Sequence, residues 1–512
     1  MRIGIDVGGT NTDAVLMDGL AVVAKIKTPT TADVTGGITA ALRAVLADSG
    51  VATGAIRAVM IGTTHFTNAV VERRRLQPAA AVRLGLPATQ ALPPMTDWPA
   101  ELRDAIGNHW FLVHGGHEFD GREISPLDED EIRGVAAQIA GRGVKAVAVS
   151  SVFSPVNDVM ERRAAEIIAD VIPDATITCS VEIGRIGLLE RENATILNAC
   201  LRGLATTTIA AFRQAIRELE IHAPLYLTQN DGTLMSAEFA ERYPVLTFAS
   251  GPTNSMRGAA LLCGLADAIV VDIGGTTSDV GALVHGFPRE ASIVVEVGGV
   301  RTNFRMPDVH SFGLGGGSLI SDDPLAIGPQ SVGYRLTEDA LVFGGETLTA
   351  TDIAVAAGIA GIGDAARVAG LDSDLVSRAL DRIHAMTEEG IDRMKLAAGD
   401  VPVVIVGGGS VLISRSLAGA SQIIKPDHFE AANAVGAAIA QISGEVDRVF
   451  SLAEMSRAAA LDAAKAEATS RAAAAGADAA TVDIVEVEDV PLAYLPGNAT
   501  RIRVKAVGDL AM

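Results

Sequence analysis

A chain of 512 residues is long for one core, so two large domains, with room for a smaller appendage, are expected from length alone. Its 41 basic against 62 acidic residues give a formal charge of −21, which argues against nucleic acid as a partner because phosphates demand a basic footprint. Hydrophobic residues make up 49% of the chain, yet Gly, Pro or charge interrupts the apolar runs before the roughly 18 residues that a membrane span requires.

Three well-separated cysteines, Cys179, Cys200 and Cys263, argue against a disulfide framework, a zinc ribbon or iron–sulfur ligation, and read as buried thiols. The opening "MRIGIDVGG" places one Arg before a β-like run too short for a signal-peptide core, so a cytoplasmic location is the expectation.

In chain order, "RIGIDVG" and "DAVLMDG" read as two strands around a turn, "VVAKIKTP" as a third, and residues 34–48 as an amphipathic helix. "AVMIGTTHFTNAVVER" at 58–73 reads as a strand, a Gly-Thr-Thr turn and a helix start with Thr64 as N-cap. "SPLDEDEIRGVAAQIA" supplies Ser125 as N-cap, Pro126 at the first helical position and acids in the first turn. "VKAVAVSSVFS" and a charged helix from about Asn157 add a β-then-α step. Residues 180–217 are helical in period and free of proline, and are expected to pack between lobes or to build the second one. Strand and turn signals follow, and Ser250-Gly251-Pro252 opens another helix. "VPVVIVGGGSVLISRSLAG" at 401–419 reads as a buried strand ending in three glycines at the mouth of a helix, and "AANAVGAAIAQI" at 431–442 as a small-residue helix able to pack closely. An Ala-rich helix near 452–475 and two alternating strands around a Pro-Gly-Asn turn complete the reading as a small α+β appendage.

The strongest signal is internal repetition. "GIDVGGTNTDAV" at 4–15 recurs as "VVDIGGTTSDVG" at 270–281, so that Asp6, Gly8, Gly9, Thr10 and Asp13 return as Asp272, Gly274, Gly275, Thr276 and Asp279. A strand ending in Asp-x-Gly-Gly-Thr forms a tight hairpin whose glycines let backbone N–H groups approach an anion while the Thr hydroxyl adds a donor. Two such turns facing each other would hold a polyphosphate from both sides. Asp6 and Asp272, at the strand ends, are placed to hold Mg²⁺ or to orient a nucleophile. Asn11 and Thr277 complete the two turns. Gly407, Gly408 and Gly409 form a third loop, at a helix N-terminus, suited to a nucleoside or α-phosphate.

This ordered set resembles the actin-like ATPase superfamily and, more narrowly, the hydantoinase/oxoprolinase family of A-type subunits. The resemblance covers roughly residues 1–440 and rests on the two repeats together with "IGTTHFTNAVVER", "AVAVSSVFS", "LTQNDGTLMS", "ASGPTNSMRGA", "PDVHSFGLGGGS" and "VIVGGGS". The family's usual "SGPAGG" stands here as "SGPTNS". The resemblance implies an α/β, RNase H-like fold of two duplicated lobes around a nucleotide cleft. The boundaries read as 1–180 for the first lobe, 181–444 for the second and 445–512 for the appendage.

It further implies an ATP- and Mg²⁺-dependent hydrolase of a cyclic amide, working with a B-type or other partner subunit in an oligomer. A small-molecule kinase and a nucleotide-driven clamp on a partner protein are the alternatives. Within "PDVHSFGLGGGS", Asp308 and His310 are candidates for a catalytic or metal role, and Gly313–Ser318 for lining the cleft. "HGGHEFDG" sets His114, His117 and Asp120 at three-residue spacing, so His114, His117, Asp308 and His310 form a candidate Zn²⁺ or Mn²⁺ set. Two surface histidines in a loop are the simpler reading of the first pair. Gly62 to His65 and Asn68 are candidates for facing the cleft, and Arg301 and Arg305 for pairing with phosphate or a substrate carboxylate.

Overall fold

The computed structural model describes residues 1–512 except 9–10, 30–33, 292–294, 454, 494–497 and 512. Its framework is one sheet motif built twice. The strand Arg2–Val7 pairs antiparallel with Asn11–Asp18 and parallel with the crossover strand Ala58–Thr63. The strand Ala268–Ile273 repeats the pattern with Ser278–Val284 and Val401–Val406. In both sheets the order is third, second, first, fourth, fifth: Ala21–Pro29, Asn11–Asp18, Arg2–Val7, Ala58–Thr63 and Leu225–Thr228 in one, Phe287–Pro288, Ser278–Val284, Ala268–Ile273, Val401–Val406 and Ala420–Ile424 in the other.

Both faces of the first sheet are covered, which explains why its strands are apolar almost without alternation. Ile3, Ile5 and Leu16 pack with Ile38, Leu42, Phe212 and Ile216 of two helices, Val34–Ser49 and Leu188–Glu218. Val15 and Met17 pack on the opposite face against Ala434, Val435 and Ala438 of the helix Ala432–Ala438. The helix Leu188–Glu218 is long and apolar enough to cross a membrane by length and composition. Its side chains are instead used in two cores: Ala194, Leu197 and Leu201 in one, Ile209, Phe212 and Ile216 in the other.

Between the fourth strand and that helix lies an inserted parallel sheet, ordered His109–His114, Ala79–Leu86, Ala146–Ser151, Thr176–Cys179. A fully buried ion pair fastens it to the helix. Arg83 donates from Nε and Nη2 to the two oxygens of Glu192 at 2.7 and 2.5 Å, and Ser150 donates to Glu192 at 2.7 Å. The helix Glu129–Gly141 takes Asp128 rather than Ser125 as N-cap; the Ser125 hydroxyl bridges Leu86 O and Gly115 N, tying two strand ends together.

The divisions read from the sequence at 180 and 444 cut across the sheets. The strands Leu225–Thr228 and Thr233–Ser236 belong to the first sheet, and Gln441–Phe450, Thr500–Gly508 and Asp483–Pro491 extend that same sheet to nine strands. Residues 445–512 are therefore no separate appendage. The helix Arg457–Ala474 buries Ala460, Ala464, Ala468 and Ala472 against these strands, one small residue per turn, and Gly444 admits its backbone.

The lobes meet where two helices cross. Ser250–Cys263 and Ala432–Ala438 approach so closely that a Cβ on Gly258 would lie 2.0 Å from Ala432 O, and one on Gly436 would lie 1.9 Å from Asn254 O. A Cβ on Gly4 would lie 2.1 Å from Ala434 O, so the second helix also lies flat on the first strand.

Candidate nucleotide site

Both repeats close their hairpins with the same hydrogen bond. Gly8 N donates to Asn11 O at 3.1 Å, and Gly274 N donates to Thr277 O at 2.9 Å. The ladder sets Asp6 opposite Asp13 and Asp272 opposite Asp279. Gly9 and Thr10, expected to bind phosphate, lie outside the described residues; Gly275 and Thr276 lie in the second turn.

The two turns meet at the lobe junction, and the carboxylates feel one another there. Asp6 is buried and its pKa is pushed up to about 7, first by loss of water, then by the charges of Asp13 and Asp272. Asn433 and Lys27 act in the opposite direction: Asn433 Nδ2 donates to Asp6 Oδ2 at 3.2 Å, and Lys27 pairs with Asp13 at 2.8 Å. Burial also raises Asp13 and Asp272, and takes Asp279 to about 6. Ser255 donates to Asp272 Oδ2 and Ser311 to Asp279 Oδ1. Asp6 Oδ1 is buried with no hydrogen-bond partner among the described residues. Asp6 is thus buried near the charges of Asp13 and Asp272, with the Lys27 ammonium as the neighbouring cation. The hard carboxylate oxygens of Asp6 and Asp272, with Asp6 Oδ1 uncommitted, fit Mg²⁺, which is typically held by one or two carboxylates together with phosphates and water.

Glycines shape the second turn from behind. Gly316 N and Gly317 N donate to Gly274 O and Gly275 O at 3.1 and 2.8 Å, and a Cβ on Gly315 would lie 2.4 Å from Thr276 N. Gly313–Ser318, expected to line the cleft, is therefore a splint clasping the turn. Gly407, at φ +85°, presses on Asp272, and Gly409 on Gly274 O, whereas Gly408 faces open space. The loop leads into a five-residue 3-10 helix, Gly408–Leu412, so the expected α-helix mouth is absent; Gly408 keeps an open backbone approach.

Residues 62–68 are tied to the crossing helices. Ser250 Oγ donates to Thr63 O at 3.2 Å, and the His65 ring bonds Thr63 Oγ1 at 2.7 Å. Burial, helped by Arg75, pushes His65 down to about 4, leaving it neutral at pH 7. Thr64 occupies the N-cap position without a side-chain cap bond and instead accepts from Asn68 at 3.4 Å.

The four residues expected to share Zn²⁺ or Mn²⁺ have separate surroundings. His114 ends an edge strand of the inserted sheet and contacts Glu131 at 3.1 Å; His117 is buried in the loop that follows. Asp120 pairs with Arg122 at 2.7 Å. In the second lobe Asp308 accepts from Arg289 at 2.5 Å, and His310 stacks on Phe312. Among the described residues no group of three or more His, Cys, Asp or Glu side chains is placed to hold a metal ion. Arg301 pairs with Glu190, and Arg305 sits among Glu290, Glu445 and Glu486, so both are committed to carboxylates of the chain itself.

Asn433 and Ser255 escaped the sequence reading. Asn433 is the one polar side chain in "ANAVGAA", and that isolation was the available signal. Ser255 stands in "SGPTNS", where the departure from "SGPAGG" marked it.

Two lobes of one repeated sheet order, each contributing a glycine hairpin to a shared junction, define an actin-like ATPase fold. Solved structures with that architecture include the ATP-dependent caprolactamase from Pseudomonas jessenii (TM-score 0.78, 19% identity, covering all of this chain and 88% of that one) and a nucleotide-free acetone carboxylase (TM-score 0.72, 19% identity, with the same coverage). The chain belongs to the hydantoinase/oxoprolinase family: the family's N-terminal region matches residues 2–172, and the hydantoinase/oxoprolinase region matches residues 191–361. Similar curated proteins are the caprolactamase subunit alpha of Pseudomonas jessenii, 28% identical over 79% of this chain, and the acetophenone carboxylase gamma subunit of Aromatoleum aromaticum, 28% identical over 70%. The matches span 61% and 53% of those relatives' own lengths.

Proposed function

We propose that this chain is the nucleotide-binding subunit of an ATP-dependent enzyme that opens a cyclic amide, acting with a second subunit. The observation that carries the reading is the pair of matching Asp hairpins at the lobe junction, with the Asp272 charge close enough to raise the cost of ionising Asp6. An amide carbonyl resists water because its electrons are delocalised over nitrogen. ATP supplies the phosphoryl group that makes the carbonyl oxygen a leaving group and the carbon electrophilic. Asp6 and Asp272 would hold Mg²⁺, the glycine turns of the two repeats would bind the phosphates, and Gly408 leaves room for the rest of the nucleotide. Donors on both flanks stabilise charge spread over the equatorial oxygens while the in-line path stays open to an acceptor.

The subunit names of the relatives support a partner, and the caprolactamase supports a lactam substrate. A ketone is the second reading, supported by similarity to the acetophenone and acetone carboxylase subunits; it offers the same carbonyl oxygen to the same cradle. Lactams and ketones screened for stimulated ATP hydrolysis by this chain and its co-purifying subunit separate the two. A lactam carrying heavy oxygen at its carbonyl then tests the chemistry: the label is expected in the released phosphate. Label retained wholly in the ring-opened acid would mean that ATP drives a conformational step, and the clamp would be the better description.

A further inference from the structure

We infer that Asn433 and Ser255, one on each of the two crossing helices, are positioning residues that hold Asp6 and Asp272 in place for a shared Mg²⁺-nucleotide; this rests on the nucleotide reading above. Asn433 lies on the short helix that touches both lobes, pressed on the first strand at Gly4 and on the crossing helix at Gly258 and Gly436. Its amide donates to Asp6 Oδ2 at 3.2 Å. Ser255, on the partner helix of the crossing, donates to Asp272 Oδ2.

Each carboxylate thus has one oxygen turned into the protein by a neutral donor. Two carboxylates brought together without a cation repel, and a neutral donor on each, from helices locked together at their crossing, is the device that holds both in place before the metal arrives. Such preorganisation shows in Mg²⁺-dependent affinity, because binding no longer has to gather the two groups. The surrounding helix offers no substitute donor: its other side chains are Ala and Val, and Gly436 has none.

The test is titration calorimetry of ADP with Mg²⁺ and with EDTA, on the full chain and its Asn433→Ala and Ser255→Ala variants. Wild type is expected to bind ADP more tightly with Mg²⁺. Asn433→Ala should lose roughly tenfold of that gain, the order of one hydrogen bond to a charged group, while its affinity in EDTA holds. Loss of packing alone would weaken both. Ser255→Ala, a substitution a helix accepts readily, should lose part of the same gain and decides the matter if Asn433→Ala does not fold. An undiminished Mg²⁺ gain in the folded variants overturns the positioning role and leaves nucleotide binding intact; a wild-type chain that binds no ADP overturns both.

Discussion

Gly258→Ala puts two known effects in opposition at the helix crossing. In an exposed helix the change would stabilise by about 1 kcal/mol, because Ala is the better helix former. Here the new Cβ would meet Ala432 O at 2.0 Å, Ala432 C at 2.8 Å and Gly436 N at 3.1 Å. All three are backbone atoms, so no rotamer change relieves the clash, and the helices must separate by more than about 1 Å to restore ordinary contact. Overpacking of this kind costs about 1–3 kcal/mol, which exceeds the propensity gain in most of its range. The functional effect should be larger than the stability effect. Asn433 follows Ala432 directly, and its 3.2 Å bond to Asp6 cannot lengthen by more than about 0.3 Å and remain a hydrogen bond. The expected result is a fall in unfolding free energy of about 1–2 kcal/mol by urea titration and a loss of roughly tenfold in Mg²⁺-ADP affinity. A variant that gains stability and binds as before would refute the claim that the crossing sets the site.

Three further outcomes are expected. Glu192→Gln removes the only carboxylate bonded to the buried Arg83 guanidinium among the described residues and should destabilise by about 3–5 kcal/mol; an unchanged urea midpoint would show that the pair is dispensable. Gly315→Ala drives a Cβ into the second turn, 2.4 Å from Thr276 N, and should abolish most ATP turnover while circular dichroism stays native; full turnover would mean the splint is not needed. The nucleotide-free protein should lose stability as pH rises from about 4 to 7. Asp6, at about 7, and Asp279, at about 6, bind protons in the folded state that the unfolded chain has already released near its ordinary value of 3.8, so folding is favoured at the acidic end of that window. Glu445, raised to about 7, adds to the decline; His65, lowered from 6.5 to about 4, opposes it with a single group's weight; Asp231, lowered to about 2, acts only below the window. Thermal midpoints across the window should fall, Asp6→Asn should flatten the decline, and a rise that is unchanged in Asp6→Asn would contradict the assigned burial.

What the sequence disclosed was local and periodic. The Asp-x-Gly-Gly-Thr repeat carries its own hairpin register, because turn length fixes pairing, and Asp6 and Asp272 could be singled out from it. The alternation in 483–508 likewise revealed two strands. That these strands complete the first sheet was hidden, since nothing in a strand names a partner far along the chain. The three glycines at 407–409 suggest a phosphate loop in any setting, but whether an α-helix or a 3-10 turn follows depends on packing against Ile273 and Gly274. His114, His117, Asp308 and His310 had suggestive spacing, and distance in the fold separated them. Asn433 was masked because a helix of Ala, Gly and Val invites a packing explanation for every member.

The completion of the first sheet also has a history in time. Thr233 meets Ser443 across 210 residues of sequence, and the whole second lobe is made between them. At a ribosome delivering about 5–20 residues per second, the strand Thr233–Ser236 waits on the order of 10–40 s for its neighbour, with its outer row of N–H and C=O groups unpaired. Through that interval the half-built sheet presents an open edge to every other nascent chain nearby. A chaperone that binds nascent chains during expression should therefore raise the soluble yield more than any change to the finished surface, because the exposed edge exists only before Gln441–Phe450 has been synthesised.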